Sequence, residues 1–171
     1  MKNSLAFVTL SVLVFTAGRL AAIPVQSAQS TSGTYSWSGE LVALDQTAKT
    51  ITVKSMVVGN ALDELGHFKM GDRVTLSWSG LDKYASAINH AVRYDPTKKA
   101  DERFTFPAEF VSFDAAQRYL TFKAPIPAES VSKLQPLKPG QWVTATSPHG
   151  KSSDTQPIVA IRPYNDTAGN S

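Results

Sequence analysis

The stretch ELVALDQTAKTITVK at residues 40–54 returns in altered form as EFVSFDAAQRYLTFK at residues 109–123. Sliding the chain by 69 residues aligns residues 39–94 with residues 108–163 without a gap, and 12 of these 56 positions are identical. Self-similarity at a fixed spacing is typical of a duplicated structural unit. The sequence therefore predicts two tandem copies of one unit, at residues 34–94 and 103–164.

The opening of each copy predicts a β-hairpin. β-Branched and aromatic residues recur at near-alternate positions on both sides of a short polar stretch, which is the usual pattern of two paired strands. Asp45 and Asp114 begin the two polar stretches. A short carboxylate at that place can accept hydrogen bonds from nearby backbone amides. We therefore expect both aspartates to lie at the hairpin turns.

The remainder of each copy predicts a short helical segment followed by two strands. Residues 61–65 and 130–134 have apolar residues at helical spacing. Gly71 and Gly140 precede the third strands and are expected to take a positive φ, which glycine adopts without steric cost. A charged linker is predicted at residues 95–102 and a disordered polar tail at residues 165–171. The predicted fold class is all-β, with two tandem small β-barrel (OB-like) repeats that each contain a short helical segment.

The N-terminus predicts export. Lys2 is followed by an uncharged apolar run at residues 5–17 and by small residues up to Ala28, which is the order found in secretory signal peptides. A membrane-spanning helix needs about 20 apolar residues. We predict a signal peptide at residues 1–28, cleaved within residues 22–28, and a periplasmic or secreted protein; an uncleaved anchor is the alternative.

Charge and cysteine content exclude several classes of protein. The chain has 17 Lys+Arg and 14 Asp+Glu. Loss of Lys2 and Arg19 with the signal peptide leaves 15 against 14, a net charge of +1. A nucleic-acid binder usually carries clustered basic charge, so no nucleic-acid partner is expected. The chain has no cysteine, so it has neither disulfides nor a cysteine-linked lipid anchor.

The run GELVALD, TITVK, LGHFKMGDRVTL and AVR resembles small secreted bacterial β-barrel domains. These include OB-fold-like domains and the periplasmic copper- and silver-binding chaperones of metal-efflux systems. The resemblance covers residues 37–94 and, less well, residues 106–162. The chaperone branch implies soft ligands such as histidine and closely spaced methionines, but residues 54–57 read KSMV, without histidine or Met-x-Met. No cofactor is therefore expected.

A metal site remains an alternative at His67 and Met70. The two residues are three positions apart and could converge on one copper or zinc ion if the segment is helical. The competing interpretation is a loop histidine and a methionine that covers the end of the core.

Catalysis is not expected. The chain lacks a cysteine nucleophile, a G-x-S-x-G or H-E-x-x-H motif and a glycine-rich phosphate loop. A hydrolase built on His149, with Asp154 and either Ser152 or Ser153, is a remote alternative based on composition alone.

Binding is the class of function that the sequence favours. Trp78 and Tyr84 flank residues 79–83, SGLDK, and are predicted to be exposed aromatic residues that contact a ligand; the second copy has serines at both places. The sequence predicts an exported non-catalytic binding or scaffolding module. Its expected partner is an envelope protein or polysaccharide.

Overall fold

A computed structural model of the chain describes residues 33–81, 83–97 and 104–164. The predicted signal peptide, residues 98–102 of the predicted linker and the predicted tail lie outside the described residues. We refer below to residues 33–97 as the first half of the chain and to residues 104–164 as the second half.

Eight strands, two short α-helices and two 3-10 turns make up the regular structure of the described residues. The described chain is therefore mostly β, in agreement with the predicted class. The strands are β1 (Thr34–Asp45), β2 (Thr50–Met56), β3 (Arg73–Leu81), β4 (Tyr84–Arg93), β5 (Thr105–Asp114), β6 (Tyr119–Pro125), β7 (Trp142–Pro148) and β8 (Ala160–Pro163). The helices are α1 (Ala61–Glu64) and α2 (Ala128–Leu134), with 3-10 turns at Leu65–His67 and Gly150–Ser153.

The two predicted hairpins are formed by β1 with β2 and by β5 with β6. At the first turn, Asp45 Oδ1 accepts hydrogen bonds from the amides of Thr47 and Ala48, at 3.0 and 2.8 Å. At the second turn, Asp114 Oδ1 accepts one from the amide of Gln117 at 2.9 Å. The predicted turn role of both aspartates is therefore confirmed.

The eight described strands belong to one sheet, in the order β2-β6-β5-β3-β4-β1-β7-β8. The pairing joins the two halves of the chain: β2 pairs with β6, β3 pairs with β5, and β7 pairs with β1. Strand β1 also pairs with β2 and, through the single parallel bridge Ser36–Tyr84, with β4. Each hairpin is therefore extended by the third strand of the other half rather than by its own.

Two glycines lie where the pairings between the two halves begin. Gly71 and Gly140 both have φ of 90°, which confirms the predicted positive φ. The amide of Gly71 donates to the carbonyl of Phe110 at 2.9 Å, and that of Gly140 donates to the carbonyl of Leu41 at 2.8 Å. Each glycine thus turns the chain so that the strand after it meets the hairpin of the other half.

Aromatic side chains from both halves fill the centre of the core. The Trp37 ring lies 5.0 Å from that of Trp78, 5.6 Å from that of Phe106 and 5.7 Å from that of Phe122, measured between centroids. The indole Nε1 of Trp37 donates to Ser147 Oγ at 2.8 Å, so its one polar atom is satisfied. Burial of each large apolar side chain contributes about 1.5–3 kcal/mol, and this core requires both halves.

Candidate functional site

An open cleft of about 1240 Å³ lies beside the end of the β3–β4 hairpin. The cleft is lined by Gly33 and Thr34 around the start of β1, by the described hairpin residues between Ser79 and Ser86, and by His149. The hairpin and β1 belong to the first half, whereas His149 belongs to the second. The cleft is therefore assembled by the crossed strand pairing.

The rim of the cleft carries two exposed apolar side chains. Leu81 is the last residue of β3 and Tyr84 is the first residue of β4, and the two lie directly opposite each other; they are 79% and 73% exposed. Residues opposite each other on antiparallel strands project from the same face. Between them, the carbonyl of Lys83 accepts a hydrogen bond from the amide of Ser36 at 2.7 Å, which ties the turn to β1.

Gly80 allows the hairpin to bend at the cleft. A Cβ at this position would lie 2.7 Å from the carbonyl oxygen of Tyr84 and 3.1 Å from Cε1 of Phe104. The ladder register also shifts between Ser79 and Gly80, and such bulges increase local twist and redirect side chains. The lack of a side chain at this position therefore helps to shape the wall.

His149, which lines the cleft, is held by contacts with two aromatic rings. Its ring stacks on Tyr35 with centroids 5.1 Å apart, and it meets the edge of Phe104 at 5.2 Å. Tyr35 is buried, and burial raises the pKa of its phenol although the neighbouring Ser147 hydroxyl lowers it. The phenol of Tyr35 is therefore neutral at physiological pH.

The two predicted ligand-binding aromatics have different environments. Tyr84 is exposed, as predicted, and lines the cleft. The prediction that Trp78 is exposed is wrong, because its side chain is only 4% exposed and stacks on Trp37 in the core. Trp78 continues the inward alternation of Val74 and Leu76, a signal present in the sequence. Its ring is not available to a ligand at the surface.

The predicted metal residues do not lie on one helical turn. His67 ends a 3-10 turn, and Phe68 after it is extended, with φ of −94° and ψ of 154°. His67 and Met70 are both exposed. Within residues 33–81, 83–97 and 104–164, no group of three or more histidine, aspartate or glutamate side chains could hold a metal ion. The helical geometry on which the metal prediction depended is therefore not present.

The remote hydrolase interpretation receives no support from Ser153. This serine is fully buried, and its hydroxyl lies 2.7 Å from the carbonyl oxygens of Thr105 and Gly150. A hydroxyl that donates to main-chain carbonyls is not aimed at a base such as His149. The side chain of Ser152 lies outside the described residues.

Sequence reasoning missed Leu81 and the position of His149 in the cleft. Leu81 could have been found from the hairpin itself, since a two-residue turn after it places it opposite Tyr84. The approach of His149 to the β3–β4 hairpin depends on the pairing of β1 with β7, where the amide of His149 donates to the carbonyl of Gly33 at 3.0 Å. No local signal predicts that contact.

Comparison with known proteins yields no match to a family model, to a curated protein or to a solved structure. In the part of the chain that the structure describes, none of the helices has the length and apolar character needed to cross a membrane.

Proposed function

We propose that the chain is an exported, non-catalytic binding or scaffolding module of the cell envelope that holds a protein partner in the cleft beside Tyr84. The observation that carries this proposal is the exposed pair Leu81 and Tyr84 on the rim of the cleft. Export rests on the signal-like order of residues 1–28.

The chemistry of the rim favours a protein over a sugar polymer. Leu81 has no group that can form a hydrogen bond, so it is best matched by an apolar side chain. Tyr84 offers a rigid ring with a hydroxyl at its end, and tyrosine is enriched among residues that dominate protein interfaces. Lys83 and His149 add polar groups at the edge of the apolar pair. An envelope polysaccharide is the alternative ligand.

We also propose that the fold is a duplicated OB-like unit whose two copies complete one another. Support comes from the backbone: residues 69 positions apart make the same turn contacts, as at Gly71 and Gly140. The cleft lies where the copies differ, because Leu81 and Tyr84 align with Gly150 and Ser153. The difference between the copies at these two positions is consistent with a binding site that only the first copy carries.

Site-specific photo-crosslinking in living cells tests the proposal. A benzophenone amino acid replaces Tyr84 in one variant and the exposed Val92, at the far end of β4, in the matched control. We expect a discrete protein adduct from position 84 that is weakened by Leu81→Ser and absent from position 92. Equal labelling from both positions, or none from position 84, would contradict the proposal. A smear that collapses on digestion of envelope polysaccharide would assign the cleft to the polymer.

A further inference from the structure

A second surface, on the outer face of the sheet, carries three aromatic rings and one ion pair. We name this set the aromatic row: Tyr164, Trp142, Glu40, Lys54 and Tyr119. The pairing places Glu40 opposite Trp142 on one side and opposite Lys54 on the other. Opposed residues share a face, so the row crosses from β8 to β6 over the outside of the sheet.

The contacts within the row are direct. The rings of Trp142 and Tyr164 meet edge to face with centroids 6.5 Å apart, and the amide of Tyr164 donates to the carbonyl of Trp142 at 2.9 Å. Lys54 Nζ lies 2.9 Å from Glu40 Oε2 and 5.1 Å from the centroid of the Tyr119 ring. The Glu40–Lys54 ion pair therefore lies between Tyr119 on one side and the Trp142–Tyr164 pair on the other.

Two aromatic members of the row are roughly half exposed. Trp142 is 44% exposed and Tyr164 is 49% exposed, in a chain whose other two tryptophans are buried. The neighbouring outward positions carry hydroxyl groups: Ser38 Oγ and Thr144 Oγ1 lie 3.5 Å apart, and Ser36 lies opposite Thr146. Apolar rings and hydroxyl groups thus lie side by side on this face.

The other half of the chain provides an internal comparison. Glu109 and Lys123, which align with Glu40 and Lys54, form an ion pair at 2.6 Å. Arg73, which aligns with Trp142, has its Cζ 4.3 Å from the centroid of the Tyr94 ring. Arg73 therefore occupies the place that Trp142 has in the aromatic row. Because the same strand arrangement accepts an arginine there, the fold does not require the exposed tryptophan.

We propose that the aromatic row binds a neutral polysaccharide. Sugar rings present C–H faces that pack on aromatic rings and hydroxyl groups that form hydrogen bonds with carboxylate, ammonium and hydroxyl groups. The carboxylate and ammonium of the row neutralise each other, so the row offers no net charge to an acidic polymer. Arg162, opposite Thr144 in the adjacent part of the sheet, adds one positive charge beside the row. This surface is separate from the Tyr84 cleft, and the inference does not rest on the proposed function.

Affinity electrophoresis of the mature protein tests the proposal. Native gels contain either a neutral polymer (hydroxyethyl cellulose, laminarin, dextran or galactomannan) or acidic alginate. We expect at least one neutral polymer to retard the protein. Trp142→Ala should weaken this binding on the order of tenfold, because a ring that stacks on the ligand is lost. Arg73→Ala should leave the binding unchanged. Retardation should persist at about 0.5 M NaCl, where charges are screened beyond about 4 Å.

Two controls keep the result interpretable. Thermal unfolding of Trp142→Ala reveals any loss of the fold, and Arg73→Trp should add a second row and strengthen binding. Retardation by none of the neutral polymers would overturn the proposal. Equal weakening of binding by Trp142→Ala and Arg73→Ala would also overturn it. So would a protein that binds only alginate and loses this binding in the Arg162→Gln variant. The Tyr84 crosslink should survive Trp142→Ala, which separates this proposal from the cleft.

Discussion

Val53 on β2 lies directly opposite Phe122 on β6, and the two residues are 69 positions apart in the chain. The flanking pairs obey the same symmetry, since Thr50 lies opposite Pro125 and Met56 lies opposite Tyr119. The pairing of β2 with β6 is therefore centred on two residues that occupy equivalent positions in the two copies. Such a pairing relates the two hairpins by a local two-fold axis. The halves therefore interlock, and the core and the cleft are each built from both.

Gly71 and Gly140, which both have φ of 90°, should each tolerate alanine poorly. An added Cβ at Gly71 or Gly140 meets no described atom within 4 Å, so any loss comes from backbone strain alone. We expect each substitution to lower the free energy of unfolding by about 1–2 kcal/mol, measured by urea denaturation. Gly66, which also has open space but no positive φ, is the matched control, and Gly66→Ala should be neutral or stabilising. Similar losses at all three positions would contradict the strain argument.

Gly80→Ala should distort the cleft as well as destabilise the protein. The new Cβ would overlap a backbone oxygen of Tyr84, which cannot move away by rotating a side chain. We expect a loss of about 1–3 kcal/mol together with a weaker crosslink from position 84. Ser86→Ala, which removes only an exposed hydrogen bond to Ser79, should change both quantities little. A normal crosslink in Gly80→Ala would show that the cleft does not depend on this close approach.

Ser147→Ala should leave the buried indole N–H of Trp37 without its acceptor. An unsatisfied buried donor costs about 1–3 kcal/mol, and denaturant unfolding measures this loss. In a Trp37→Phe background the donor is already absent, so the same serine substitution should cost less. If the cost is equal in both backgrounds, the hydrogen bond is not the cause.

The loop before β3 should depend on pH, whereas its counterpart before β7 should not. The amide of Lys69 donates to Asp72 Oδ2 at 3.0 Å and holds the pKa of that carboxyl below its usual range, with help from Arg93. The stabilising contribution of this carboxylate to the folded state is thus present at neutral pH. It is lost as the pH falls below about 4 and passes through the lowered pKa. In the second half, the backbone amide of Lys138 donates instead to Oε1 of the uncharged Gln141 side chain at 2.7 Å.

Amide proton shifts check this contrast. The NMR signal of the Lys69 amide should titrate with Asp72, and that of Lys138 should stay constant over the same acidic range. Replacing Asp72 with glutamine should make the first loop behave like the second. Parallel titration of both amides in the unmodified protein would contradict the assignment.

Local patterns in the sequence predict the individual elements well. The aspartates at the turns, the paired glycines and the alternation in β2 and β6 specify hairpins and strand starts, because each depends on a few neighbouring residues. The exposure of Tyr84 follows from its place at the start of β4, beside the hairpin turn. The burial of Trp78 follows from the alternation of Val74 and Leu76, although its position near the turn suggested exposure.

Long-range pairing explains what the sequence did not predict. Nothing near residues 73–78 indicates that β3 pairs with β5 of the other half, since a strand of either half offers the same backbone groups. The contribution of His149 to the cleft and the alignment of Trp142 with Glu40 both depend on the β1–β7 pairing. Such contacts arise from the tertiary arrangement and have no local signature.

The most direct test of this account is to cut the chain between its halves and ask whether the cleft survives. Residues 98–103 are replaced by a protease recognition sequence, and the protein is cleaved under native conditions. Because sheet, core and cleft each use both halves, we predict that the two fragments stay together as one species and still give the crosslink from position 84. Separation into two independently folded fragments would contradict the interlocked fold and the shared cleft.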